Sequence, residues 1–188
     1  MFMRKTSCGG LMLALVVLSG AGWAQSKFNI GKPASEQEQK GWDIDVSPSG
    51  AGLPAGSGSV AQGGRLYAEK CAACHGAKGE GKPADRLVGG QGTLKAAAPV
   101  KTIGSFWPYA TTVYDYVYRA MPYNAPQSLS ANETYALTAY LLHMNGILGA
   151  EASLDAVSLP KVRMPNRDGF VSDGRPDTTN APCRSECK

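Results

Sequence analysis

Cys71-Ala72-Ala73-Cys74-His75 is the stretch on which the reading of this chain turns. Two thiols separated by two residues, with an imidazole directly after the second, are what covalent haem attachment requires. The thiols can reach the two vinyl groups on one edge of the porphyrin, and the imidazole then lies against the iron. The motif therefore predicts one covalently bound haem c, attached through Cys71 and Cys74 and ligated by His75. Other uses of the same residues fit less well. A thioredoxin-like redox pair needs a βαβ context, which the surrounding pattern does not offer. A structural zinc site needs a second pair of ligands, and Cys183 and Cys187, with three residues between them, supply it only weakly.

Toward the N-terminus, Arg4 and Lys5 precede the apolar run Leu11 to Leu18 and the small-residue site Gly22-Trp23-Ala24. This is the layout of an export signal over residues 1–24, cleaved before Gln25. The apolar stretch is shorter than the roughly 18 to 20 residues of a spanning helix, and no later segment is long and apolar enough, so no membrane span is expected in the mature chain. The expected location is the periplasm. Cleavage would leave 17 basic residues of the original 19 against 15 acidic ones, a balance that gives no support to nucleic-acid binding. It would also remove Cys8, leaving Cys71, Cys74, Cys183 and Cys187. In an oxidising compartment each thiol should have an assigned partner, so two haem thioethers and a Cys183–Cys187 disulfide are expected.

Downstream of the signal, residues 25–58 read as an irregular extension with a short polar helix near Ser35 to Lys40, an anchor-like Trp42 and a Gly/Pro/Ser-rich run from Ser47 to Gly58. The folded domain is expected over residues 59–150. A first helix runs from Val60 to Ala73 behind a Ser59 cap, although Gly63 and Gly64 each lower helix propensity by about 1 kcal/mol. Side chains are missing at both positions, so another helix is expected to cross there. A middle helix is predicted over Thr111 to Arg119, with Val113, Tyr116 and Val117 on one face between Pro108 and Pro122. The last helix opens with the capping box Ser130-Ala131-Asn132-Glu133 and stops at Asn145-Gly146, with Leu137, Leu141, Met144 and Leu148 as its buried face. No strand pattern stands out. Residues 151–188, punctuated by Pro160, Pro165, Pro176 and Pro182, are expected as an extended tail laid over the domain.

The iron needs a second axial ligand, and the candidates are Met121, Met144, Met164 and His143. Met121 is preferred because it follows the middle helix and lets a loop wrap the haem before the last helix. Met164 in the tail is the alternative. Met144 reads as a core residue and His143 as a solvent-facing residue near a helix end. A thioether ligand raises the potential relative to two histidines and, with His75, closes both axial positions, which suits electron transfer rather than bond chemistry.

These features resemble the class I cytochrome c family. Its first helix carries Gly and an aromatic eight and four residues before the first haem cysteine, here Gly63 and Tyr67, and its last helix carries Leu-x-x-Tyr, here Leu137 to Tyr140. The resemblance implies an all-α domain of small helices wrapped around one covalent haem, with these helices crossing at Gly63. Trp42-Asp43-Ile44-Asp45, Phe106-Trp107-Pro108-Tyr109-Ala110, Arg119-Ala120-Met121-Pro122, Tyr135 to Leu142 and Met164 to Phe170 are similar to the cytochrome subunits of bacterial sulfite dehydrogenases and the related sulfur-oxidation complex. That likeness implies electrons arriving from a molybdenum-containing sulfite dehydrogenase subunit and leaving to a downstream cytochrome or oxidase. A free diffusible carrier for another dehydrogenase is the competing expectation. A haem enzyme, such as a peroxidase or a thiosulfate-oxidising cytochrome, needs an open iron or an unusual ligand, against which Met121 argues.

Overall fold

Serine caps start the two helices that build the domain. In the computed structural model, which describes residues 31–174, Ser59 and Ser130 each accept a hydrogen bond from the backbone three residues on, at Gln62 and Glu133, whose side chains reach back to the cap. These reciprocal bonds satisfy amides that a helix start otherwise leaves open. The predicted export signal and the Cys183–Cys187 pair lie outside the described residues. The helices and the haem motif all belong to one compact unit that begins at Glu36.

Helix α1 spans Glu36–Lys40 and is exposed. Strand β1 (Ser57–Ser59) leads directly into α2 (Val60–Lys70), and the short α3 (Ala72–His75) carries the haem motif. The expected first helix is thus broken at Cys71, whose φ of −126° leaves the helical range. Its carbonyl then starts the next turn by accepting from the Cys74 and His75 amides at 3.1 and 3.0 Å. Gly76, at φ +82°, ends α3 in a conformation that suits residues without a Cβ. Helix α4 (Ala110–Ala120) stops at the extended Met121, the backbone state that a following proline favours. Helix α5 (Ala131–Met144) ends at Asn145 and Gly146.

Among the described residues there is one small sheet, which the sequence reading did not anticipate: β1 pairs antiparallel with β2 (Ser153–Asp155), Gly58 facing Leu154. Strands of three residues with a single buried apolar side chain leave no alternating pattern to read. The pair fastens the extension to the tail.

Helix α5 is buried nearly all round, from Thr134 to Ala139 and at Leu141 and Leu142. Against it α2 comes very close. A Cβ on Gly63 would collide with the Ala136 carbonyl oxygen and lie 2.7 Å from the Tyr140 Cβ, and one on Gly58 would collide with the Ala136 amide. The crossing expected at Gly63 is therefore where the backbones meet. Tyr67 packs on Tyr140 with ring centroids 5.4 Å apart. On the other side, α4 buries Ala110, Val113, Tyr114 and Val117, and Tyr114 lies 4.5 Å from the Tyr135 ring. Tyr116, expected on this face, is instead 48% exposed and meets Trp107 edge-on, because the buried stripe runs through Tyr114.

Extension and tail both pack on this helical body. Val46 is buried, and its amide donates to Asp115 Oδ1 at 2.8 Å. Thr111 and Tyr135 donate to the carbonyls of Pro48 (3.1 Å) and Pro54 (2.9 Å). From the tail, Leu154, Leu159 in the 3-10 turn Leu159–Lys161, and Met164 join the core. Among the described residues no helix is long and apolar enough to cross a membrane.

Candidate haem site

The loop after His75 folds back on the motif through three bonds. Gly81 N donates to the His75 carbonyl (2.8 Å), Ala84 N to the Cys74 carbonyl (2.9 Å), and His75 Nδ1 to the Asp85 carbonyl (2.7 Å). A carbonyl oxygen can only accept, so this last bond puts the proton on Nδ1. Nε2 is left with its lone pair, as a metal-ligating imidazole requires, and the bond to Asp85 fixes the ring's orientation. From α2, Tyr67 Oη donates to the Gly76 carbonyl at 2.8 Å and ties the end of the motif to the helix crossing.

Of the two cysteines, Cys71 is half-buried and Cys74 exposed. Burial, reinforced by the neighbouring Cys74, pushes the Cys71 thiol up to about 11 against a lowering by Lys70. Tyr67 is also pushed up to about 12, chiefly by burial and then by the charges of Cys71 and Glu80. Its hydroxyl is therefore a neutral donor at ordinary pH. No cluster of three or more His, Cys, Asp or Glu occurs among the described residues, so a zinc site would have to draw on Cys183 and Cys187 outside them. The donor set, two thiols on one turn and an imidazole with a free Nε2, fits covalent haem c.

The second-ligand candidates fall in different surroundings. Met121 is half-buried at the end of α4, its amide bonded to the Val117 carbonyl at 3.1 Å. Met164 is 1% exposed within the apolar core. Met144 is half-buried against the core. His143 does not simply face solvent: its Nδ1 lies 2.9 Å from the Leu148 carbonyl and its ring packs near Tyr140. The sequence reading missed the backbone carbonyl of Asp85 and the side chain of Asn145, which holds the segment beyond it. A main-chain acceptor carries no residue-type signal, and Asn145 reads in sequence only as a helix stop.

A covalent haem motif on the helix before a wrapped loop, with two helices crossing at a glycine, defines a class I cytochrome c, and the chain belongs to the cytochrome c family. The family's profile, Cytochrome c, matches residues 60–145. The chain is also similar to a solved chain from the sulfane dehydrogenase SoxCD of Paracoccus pantotrophus, at 44% identity and a TM-score of 0.74, covering 86% of this chain and 83% of that one. No curated protein matches the chain. As a cytochrome c it is an electron-transfer protein with covalently bound haem c.

Proposed function

We propose that this chain is the periplasmic cytochrome subunit of a sulfur-oxidising dehydrogenase, taking electrons singly from a molybdenum-containing partner and passing them to a downstream cytochrome or oxidase. The observation that carries the reading is the reach of the SoxCD likeness. It covers 86% of the chain, whereas the family match stops at residues 60–145, so the likeness includes parts of the extension and tail. Of the two sulfur substrates, the neighbour's description as a sulfane dehydrogenase favours sulfane sulfur over sulfite.

Cys71 and Cys74 would hold the haem, and His75 Nε2 and the Met121 thioether would ligate its iron. The haem supplies reversible one-electron redox chemistry. His75 is presented by the Asp85 carbonyl, which fixes the tautomer and orientation of the ring. Met121 would supply a thioether that favours the reduced state, and it only partly packs against the core. Met164 is committed to the core. Oxidising a sulfur centre by oxygen transfer releases electrons in pairs, and one haem takes one. The partner must therefore hold a two-electron centre and reduce the cytochrome twice per turnover.

A free diffusible carrier is the second reading, favoured by the way Val46, Leu159 and Met164 pack on the chain's own domain. The test is to mix the purified oxidised cytochrome with a molybdenum-containing sulfane or sulfite dehydrogenase subunit from the same source and follow the haem spectrum after adding sulfane-sulfur substrate or sulfite. Rapid reduction that requires the partner supports the proposal. Reduction without the partner points to an enzyme. Reduction only by an unrelated dehydrogenase leaves the diffusible carrier.

A further inference from the structure

Asn145 is buried at the end of α5, and both polar atoms of its side chain are engaged. Nδ2 donates to the carbonyls of Leu141 (2.9 Å) and Leu87 (3.1 Å), while Oδ1 accepts from the Gly89 amide (3.3 Å). The bond to Leu141 stays within the helix, but those to Leu87 and Gly89 reach the loop after the haem motif. Gln91 Nε2 returns a bond to the Asn145 carbonyl at 3.4 Å. The Gly89 peptide is held from its other end too, since its carbonyl accepts from Thr102 Oγ1 at 2.5 Å. Thr102 is itself set by Ser105, whose Oγ accepts from the Thr102 amide at 2.9 Å.

Two buried polar residues, Asn145 and Thr102, thus converge on residues 87–89, which follow closely on Asp85, the residue whose carbonyl holds His75. The same loop is pinned on its inner side, where the Leu87 and Val88 amides donate to the Gly79 carbonyl at 2.9 and 3.2 Å. Three hydrogen bonds set the orientation of the Asn145 amide, and Gly104 packs against it so closely that a Cβ there would collide with Oδ1. Ending a helix requires neither the long reach nor this fixed orientation.

We propose that Asn145 is a positioning residue for the axial imidazole. By fixing Leu87 and Gly89 it fixes the Asp85 carbonyl two residues away, and with it the direction and firmness of the His75 Nδ1 hydrogen bond. The inference rests on His75 being the iron ligand, as proposed above. A firm Nδ1–H···O bond increases electron donation from the ring. Releasing the loop should therefore raise the midpoint potential and expose the Nδ1 proton to exchange.

The experiment compares holocytochromes of wild type, Asn145→Ala, Asn145→Asp and Tyr135→Phe. Asn145→Asp keeps an acceptor toward Gly89 but cannot donate to Leu87. Tyr135→Phe loses only the bond to Pro54, far along the chain from the loop. The readouts are midpoint potential and the exchange rate of the His75 Nδ1 proton by NMR. Both Asn145 variants should raise the potential and speed exchange by roughly fivefold to tenfold, the effect of losing about one hydrogen bond's worth of closure. Tyr135→Phe should lower Tm alone. Unchanged potential and exchange in the Asn145 variants, with only Tm lowered, would make Asn145 a helix stop and overturn the proposal. Where Asn145→Ala does not accumulate, Thr102→Val frees the Gly89 carbonyl and must show the same two changes. A haem spectrum left unchanged in His75→Ala, with no shift in its ligand-sensitive bands, would refute the ligation itself, and is distinguishable because it needs no Asn145 variant.

Discussion

Two methionines, each followed by proline, compete for the iron in the sequence, and their environments separate them. Met121 ends a helix half-exposed, whereas Met164 is sealed in the core with Leu154 and Leu159. Ferric holoprotein should show the weak long-wavelength band of sulfur-to-iron ligation. Met121→Ala should abolish it, while Met164→Ala should keep it and instead cost about 2 to 5 kcal/mol in chemical denaturation, as for other buried methionines cut to alanine. The reverse pattern would move the ligand to the tail. Residue chemistry was legible at the haem motif because thiols and imidazole have few other uses at that spacing. The Asp85 carbonyl was not legible, since any residue could present it.

The architecture depends at the scale of elements on two helix starts and one crossing. Gly63→Ala would drive a methyl into the Ala136 carbonyl, a backbone atom that cannot step aside, and should cost about 1 to 3 kcal/mol or more. Gly64→Ala meets the edge of the Tyr140 ring at 3.1 Å, a side chain that can give, while gaining roughly 1 kcal/mol of helix propensity. Equal losses of Tm in the two variants would contradict the crossing as described. Glu133 closes the capping box of α5, and bonds from the Ser130 amide and hydroxyl hold its carboxyl below the usual range, with a smaller contribution from Lys70 at 3.4 Å. Its pKa is lowered on folding, so its stabilisation is complete above the ordinary glutamate value and disappears as pH falls through the lower folded one. Glu133→Ala should therefore cost about 1 kcal/mol near neutrality, and the gap from wild type should close from roughly pH 5 downward in thermal melts. A gap that widens on acidification would contradict this assignment. The caps and glycines were readable because each answers a local need of the backbone. The β1–β2 pair was not, because its partners lie far apart in the chain and its strands are too short to show a period.

For the whole molecule, the expected mature protein begins near Gln25 and carries one haem and one Cys183–Cys187 disulfide. Intact-mass measurement of the exported protein should give the chain from Gln25 plus one haem, with the haem retained on denaturation and no alkylatable thiol without reduction. A colourless denatured chain or two free thiols would contradict the cysteine assignments. Fold class, helix starts and haem attachment were determined by the sequence itself, because capping, glycine placement and thioether spacing are conditions met within a few residues. Tertiary structure alone decided which methionine is sealed away, which face of α4 turns inward, and that extension and tail close on one another through β1 and β2. It also decided that Asn145 reaches back to the loop behind His75. Each of these depends on contacts between residues distant along the chain, whose burial and hydrogen bonds exist only once the helices have packed.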